Sequence, residues 1–220
     1  MDDTNPTAPV DDPTAIDAPA RPDRPALTIG GDGRARCSWC GDDPEYQRYH
    51  DEEWGRPLVG DRELFEKISL EAFQSGLSWI TILRRRPAFR AAFAGFEPEV
   101  VARMGEADVD RLLEDPSIIR NRRKIEATIA NAHAMLALEE PLSELVWRFA
   151  PDPRTRRRPR TWADLATATP ESRALSAELR SKGFRFVGPT TMQALMQSAG
   201  LIDDHLEGCW RAVDADDSPL

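Results

Sequence analysis

Apolar residues recur at the α-helical interval through most of the chain, and this pattern restricts the fold more than any other feature. In IIRNRRKIEATIANAHAML, Ile125, Ile129, Ala132 and Leu136 stand at i, i+4, i+7 and i+11, the buried stripe of a long helix. Leu64, Phe65, Ile68 and Phe73 mark another that Asp61 can cap, and SWITILRRR a third that Pro87 is expected to interrupt. PESRALSAELRSKG has Thr169 or Pro170 near its start and Gly183 as its stop; a later helix is expected from Pro189 to Ala199, ending at Gly200. No run alternates as a half-buried strand does. The expected core is all-α.

The two flanks lack this pattern. Residues 1–33 hold six of the 18 prolines, many aspartates and few large apolar side chains, so they cannot bury enough surface to order themselves. They are expected to be a disordered acidic tail, as are residues 213–220, leaving one domain over 34–212. No apolar run approaches the roughly 20 residues that cross a bilayer, and no secretory signal stands out, so a soluble cytoplasmic protein is expected. The net charge of -9 argues against nucleic acid only until its distribution is considered: residues 1–32 carry -5 and 213–220 carry -3. A nearly neutral domain can still present a basic face. Arginine runs occur at 84–86, at 120–123 and between 154 and 160, although solvated surface charge is the commoner meaning of any one run.

Three cysteines are an odd number for a disulfide framework. Cys37 and His50 lie close together near one end of the helical region. His205 and Cys209 lie near the other at i and i+4, on one face if helical. Two Cys and two His make a closed tetrahedral zinc site, structural in kind, that would staple the two ends together. The competing arrangement is Cys37 with Cys40, a C-x-x-C pair suited to zinc or to redox chemistry, although no thioredoxin-like strand surrounds it.

Trp39, Tyr46, Tyr49, Trp54 and Trp79 gather near Glu71 in a chain with only 7% aromatics. Rings at helical spacing are more often core than pocket. Here the neighbourhood is polar, and Gly76 in SLEAFQSGLSW suggests a bend or a close approach. Rings around one carboxylate suit the capture of a flat, electron-poor base and the reading of its edge. Further on, a helix ending near Glu114 is followed by a tight turn at Asp115-Pro116-Ser117 and a basic helix start, a geometry that offers N–H groups and arginines to a DNA phosphate. A plain helical hairpin is the commoner outcome of such a pattern.

RCSWC with DPEYQRYHDEEWG, LFEKISLEAFQSGLSWITILRRR, IIRNRRKIEATIANA and KGFRFVGPTTMQALMQSAGLIDDHLEGC, in this order, resemble the 3-methyladenine DNA glycosylase I family, zinc-containing members of the helix-hairpin-helix glycosylase superfamily. The resemblance runs from about Arg36 to Trp210. It implies an all-α helix-hairpin-helix fold and one structural Zn2+ on Cys37, His50, His205 and Cys209, with Cys40 outside the site. It implies Glu71 as the catalytic-site carboxylate that accepts from the adenine edge. Trp39 and Trp79 would enclose the base, with Tyr49, Trp54 and Tyr46 as further wall. The hairpin would contact DNA through Ser117, Arg120, Arg122 and Lys124, although Ser117 stands where the family usually has glycine. The acidic extension and PDPRTRRRPRTW are not explained by the likeness.

The implied activity is monofunctional hydrolytic release of 3-methyladenine from alkylated double-stranded DNA by a monomer with no membrane partner. The superfamily's usual aspartate after the hairpin has no counterpart; Glu126, Thr128 and Asn131 stand there instead. A lyase would need an amine, and Lys67, Lys124 and Lys182 read as helix surface, phosphate contact and helix-end charge. A zinc-stapled DNA-binding protein without glycosylase activity is the alternative, and a zinc hydrolase would need an open coordination position.

Overall fold

The computed structural model describes residues 25–212; the rest of the expected tails, 1–24 and 213–220, lies outside the described residues. The helices are α1 (Pro44–Glu52), α2 (Asp61–Gln74), α3 (Trp79–Ala92), α4 (Pro98–Val101), α5 (Glu106–Glu114), α6 (Arg122–Leu136), α7 (Leu142–Trp147), α8 (Pro170–Ser181) and α9 (Pro189–Ser198). The all-α expectation needs one correction. Strands β1 (Leu27–Ile29) and β2 (Ala35–Cys37) pair antiparallel with Leu27 opposite Cys37. Three-residue strands are too short to show an alternating pattern, and β1 falls inside the segment expected to be tail.

Helix α2 is the central element and packs against α3, α6, α7 and α9. Ten of its fourteen residues are buried. Leu64, Phe65, Ile68 and Phe73 face a core shared with Phe89, Phe93 and Phe96, where Phe73 and Phe89 lie 4.6 Å apart. Each such ring stabilises the fold by roughly 1.5–3 kcal/mol through apolar burial. Asp61 is the first helical residue rather than the cap, which is Gly60; its carboxylate instead accepts from the Ser143 N–H at 2.9 Å, joining α2 to α7. Pro87 does not interrupt α3. The helix continues because Phe89 and Phe93 are fully buried beyond it, and their packing outweighs the hydrogen bond proline cannot donate.

Gly76 lies in the turn between α2 and α3 at φ +80°, with open space around the site of a Cβ. It serves a left-handed turn rather than a close approach. Gly200, just past α9, combines both needs: φ is +75° and a Cβ would meet the Arg56 carbonyl carbon at 2.3 Å. The Leu58 N–H donates to the Ala199 carbonyl beside it at 3.0 Å, so the loop after α1 is pressed onto the end of α9. Among the described residues no helix is long and apolar enough to cross a membrane.

Candidate functional site

Buried polar side chains interrupt the apolar surface of α2 at Lys67, Glu71 and Gln74, spaced i, i+4 and i+7 and therefore on one face. That face meets α1, the start of α3 and α9 around a pocket lined by Trp39, Tyr46, Tyr49, Trp54, Glu71, Gln74, Trp79, Trp162, Leu165, Ala194, Gln197 and Ser198. All five aromatic residues singled out in the sequence come together with Glu71. Trp39 meets Tyr46 and Trp54 edge-on at 4.9 and 5.3 Å, and Tyr49 tilts against Trp79 at 5.4 Å. Such edge and tilted contacts align the rings' quadrupoles and make a stiff wall.

Glu71 is 4% exposed and accepts from the Ser198 hydroxyl at 2.8 Å. Burial pushes its carboxyl above the usual range, opposed by the nearby Lys67 charge and by the Ser198 bond. Lys67 is not on the helix surface. It is buried, donates to the Tyr49 hydroxyl at 3.0 Å, and sits 4.9 and 4.7 Å from the Tyr49 and Trp79 ring centres. Burial lowers it to about 8, with Glu71 pulling the other way. Behind the ring wall the site therefore holds a charge pair whose members are both disfavoured by desolvation.

Cys37, His50, His205 and Cys209 are all buried, with one ligand atom from each within 4.8 Å of the others. Cys209 Sγ lies 3.4 Å from His50 Nε2 and 3.6 Å from His205 Nδ1; Cys37 Sγ lies 3.8 Å from His205 Nδ1. A tetrahedral centre with metal–sulfur and metal–nitrogen bonds near 2.3 and 2.0 Å has sulfur–nitrogen edges of about 3.5 Å, so the donor set fits a metal ion. The outer nitrogens are already committed: His50 Nδ1 donates to Asp51 at 2.8 Å and His205 Nε2 to the Trp54 carbonyl at 3.2 Å. Those acceptors leave the lone pairs of His50 Nε2 and His205 Nδ1 facing inward. Arg36 and the Trp210 indole hold Asp51 in turn. Cys40 stays outside the cluster and donates to the Cys37 carbonyl at 3.2 Å, so the C-x-x-C pairing does not form the site.

The cluster and the pocket are one structure. Trp39 lies 5.3 Å from the His50 ring, and Trp54 meets His205 edge-on at 4.6 Å. Fixing the four donors thus fixes two walls of the pocket.

The hairpin residues are placed differently from expectation. Lys124 is 6% exposed and donates to the Phe73 and Ser75 carbonyls at 2.9 and 2.6 Å; it closes the C-terminal end of α2 rather than reaching outward. Arg122 is held by Glu106, Asp110 and Glu126. Ser117 gives both its N–H and its hydroxyl to Asp115, an anion standing where a phosphate was expected. Arg120 is exposed and has no ion-pair partner among the described residues. Arg85 from α3 braces the turn by donating to the Pro116 and Ser117 carbonyls, each at 3.0 Å. Glu126 faces Arg122, Thr128 donates to the Lys124 carbonyl and Asn131 clamps the backbone of Arg185, so none of the three stands in the pocket.

Sequence reasoning missed Gln74, Trp162, Leu165, Ala194, Gln197 and Ser198 in the lining. Polar residues recurring with helical period inside α2 and α9 were the available signal for Gln74, Gln197 and Ser198. Trp162 and Leu165 belong to a single 3-10 turn, Trp162–Asp164 with Leu165 as its cap, too short to carry a period, and had none.

A family model described as methyladenine glycosylase matches residues 39–212. DNA-3-methyladenine glycosylase 1 of Escherichia coli (strain K12) is 46% identical over 177 residues, covering 79% of this chain and 95% of the relative. DNA-3-methyladenine glycosylase of Haemophilus influenzae is 44% identical over 186 residues, covering 79% and 96%. A crystal structure of 3-methyladenine DNA glycosylase I matches with a TM-score of 0.76 at 44% identity, over 80% of this chain and 98% of that one. A variant of 3-methyladenine DNA glycosylase I in complex with 3-methyladenine matches with a TM-score of 0.75 at 36% identity, over 79% and 95%.

Proposed function

The chain belongs to the methyladenine glycosylase family, and from that premise we propose that its ring-lined pocket receives a 3-methyladenine nucleotide turned out of double-stranded DNA and releases the base by hydrolysis. The activity is that of a DNA-3-methyladenine glycosylase, a hydrolase of N-glycosidic bonds in base-excision repair. The observation that carries the site assignment is Glu71, a buried carboxylate among five aromatic rings.

Methylation at N3 gives the nucleotide's base a positive charge and makes it a good leaving group. Water bonds to C1′ as the bond from C1′ to N9 breaks; its electron pair leaves with the base, which departs neutral, and the water's second proton passes to solvent. Little rate enhancement is asked of the protein, and selectivity matters more. Trp39, Tyr46, Tyr49, Trp54 and Trp79 favour a cationic ring, each worth about 0.5–2 kcal/mol when desolvated. Glu71 accepts from the exocyclic amine and opposes the positive charge. With a carboxylate already raised by burial, a cationic ligand favours its ionised form.

The cluster of Cys37, His50, His205 and Cys209 would hold one Zn2+ with no position left for substrate, so the metal's part is to brace the walls. The α5–turn–α6 hairpin would approach the DNA backbone through Arg120, with the Arg85 brace keeping the turn in shape. Leu77, 37% exposed beside Gly76 in the α2–α3 turn, would be the apolar side chain to fill the space the displaced nucleotide leaves in the stack. A monomer suffices for these roles.

Incubation of the zinc-loaded protein with N-methylated duplex DNA, followed by chromatography, should show free 3-methyladenine and no 7-methylguanine. Borohydride should trap no adduct, because Lys67 and Lys124 are buried and bonded and Lys182 pairs with Glu178 outside the pocket lining. Salt-sensitive binding without base release would favour a catalytically silent binding protein instead.

A further inference from the structure

Gln197 lies on α9 one residue before the serine that holds Glu71; it is 1% exposed and lines the same pocket. Its Nε2 donates to Asp204 Oδ2 at 2.8 Å. An ionised carboxylate only accepts, so this bond fixes which way the amide faces: nitrogen toward Asp204, carbonyl oxygen away from it. Asp204 is 3% exposed and is pinned by Arg156 at 2.7 Å. Among the described residues, Gln197 Oε1 has no hydrogen-bond partner. A buried acceptor held in one orientation with nothing to accept from needs an explanation, and in a ligand pocket the natural one is a donor on the ligand.

We propose that Gln197 is a specificity-determining residue: its Oε1 is a second acceptor for the exocyclic amine of a 6-aminopurine, kept in place by Arg156 acting through Asp204. The inference rests on the reading of the pocket as a methyladenine site. A 6-amino group has two hydrogens, and Glu71 with Gln197 supplies two acceptors. A 6-oxo purine would turn lone pairs toward both, leaving buried acceptors unpaired, which is the arrangement that gives strong discrimination.

The positioning arm also gives a role to the segment the resemblance left unexplained. Along PDPRTRRRPRTW, Arg156 pairs with Asp204, Arg158 with Asp203 at 3.0 Å and Arg160 with Glu207 at 2.8 Å. The Glu207 N–H donates to the Pro159 carbonyl at 2.8 Å. The strap is thereby laced along the loop that carries His205, and Trp162 at its end reaches the pocket.

The test uses the full chain, zinc-loaded, on N-methylated duplex DNA containing both 3-methyladenine and 3-methylguanine, with single-turnover release of each base followed by chromatography. Gln197→Met should lower the ratio of 3-methyladenine to 3-methylguanine release about tenfold or more, at wild-type zinc content and with a cooperative melt. Arg156→Gln, in the strap and away from the base, should shift the ratio in the same direction by less. An unchanged ratio in folded Gln197→Met overturns the proposal, as does an equal loss of both bases, which marks a packing role. Should Gln197→Met fail to fold, an unchanged ratio in Arg156→Gln overturns it. Wild-type protein that releases no 3-methyladenine would refute the proposed function instead.

Discussion

The Ser198 hydroxyl donates to Glu71 at 2.8 Å, and this bond ties the end of α9 to the last turn of α2 inside the pocket. It is also one of two influences holding the carboxyl down against burial. Ser198→Ala should push Glu71 further up. A carboxyl already raised favours its protonated form, so kcat/KM should fall as pH drops through that value, and in the variant this limb should move to higher pH. A hydrogen bond to a charged group is worth about 1.5–3 kcal/mol, so the variant's loss should be largest at acidic pH and recover as pH rises. A pH series of 3-methyladenine release reads the shift.

Lys67 makes the opposite contribution to stability. Its folded value of about 8 lies below the ordinary 10.5, so stability from this group is full above 10.5 and is lost as pH falls through about 8. The gap corresponds to roughly 3 kcal/mol against the charged form. In Lys67→Met the rise in stability between pH 8 and 10 should therefore flatten, as read by denaturant unfolding across that range.

Metal retention should follow the donor geometry. Cys37→Ser should lose zinc and melt well below the wild type, whereas Cys40→Ser should keep one zinc per chain. Asp51→Ala leaves all four donors but removes the acceptor that orients His50, and should weaken zinc binding about 10–100-fold in a chelator competition.

Two basic residues of the hairpin should part company. Lys124→Met leaves the Phe73 and Ser75 carbonyls without their donor and should cost about 1–3 kcal/mol of stability. Arg120→Ala should leave stability unchanged and reduce the slope of log DNA affinity against log salt by about 1. The reverse outcome would return Lys124 to the backbone contact that its sequence position suggested.

These differences mark where the sequence was legible. Helix placement followed from apolar periodicity, because Ile125 or Phe65 has only one way to reach a core. Donor type and spacing left the four-residue cluster open beside the Cys37–Cys40 pair, and the crowding of rings around Glu71 only suggested a pocket; the family resemblance selected both. Charge was the unreadable part. Arg122, Arg156 and Lys124 look alike in sequence, yet carboxylates remote in the chain hold the first two and backbone carbonyls the third. Lys67 misled because lysine in an amphipathic pattern ordinarily marks the solvent face, and here that face is covered by α1. Strand β1 was missed because three residues carry no period.

The proposed role of Glu71, set among the rings, is to read the methylated base. Its most direct test is the release of free bases from N-methylated duplex DNA by wild type and Glu71→Gln at equal zinc content, with 3-methyladenine and 7-methylguanine followed separately. The wild type should release 3-methyladenine selectively, and the variant at least tenfold less. A Glu71→Gln protein that keeps both the rate and the selectivity would contradict that role.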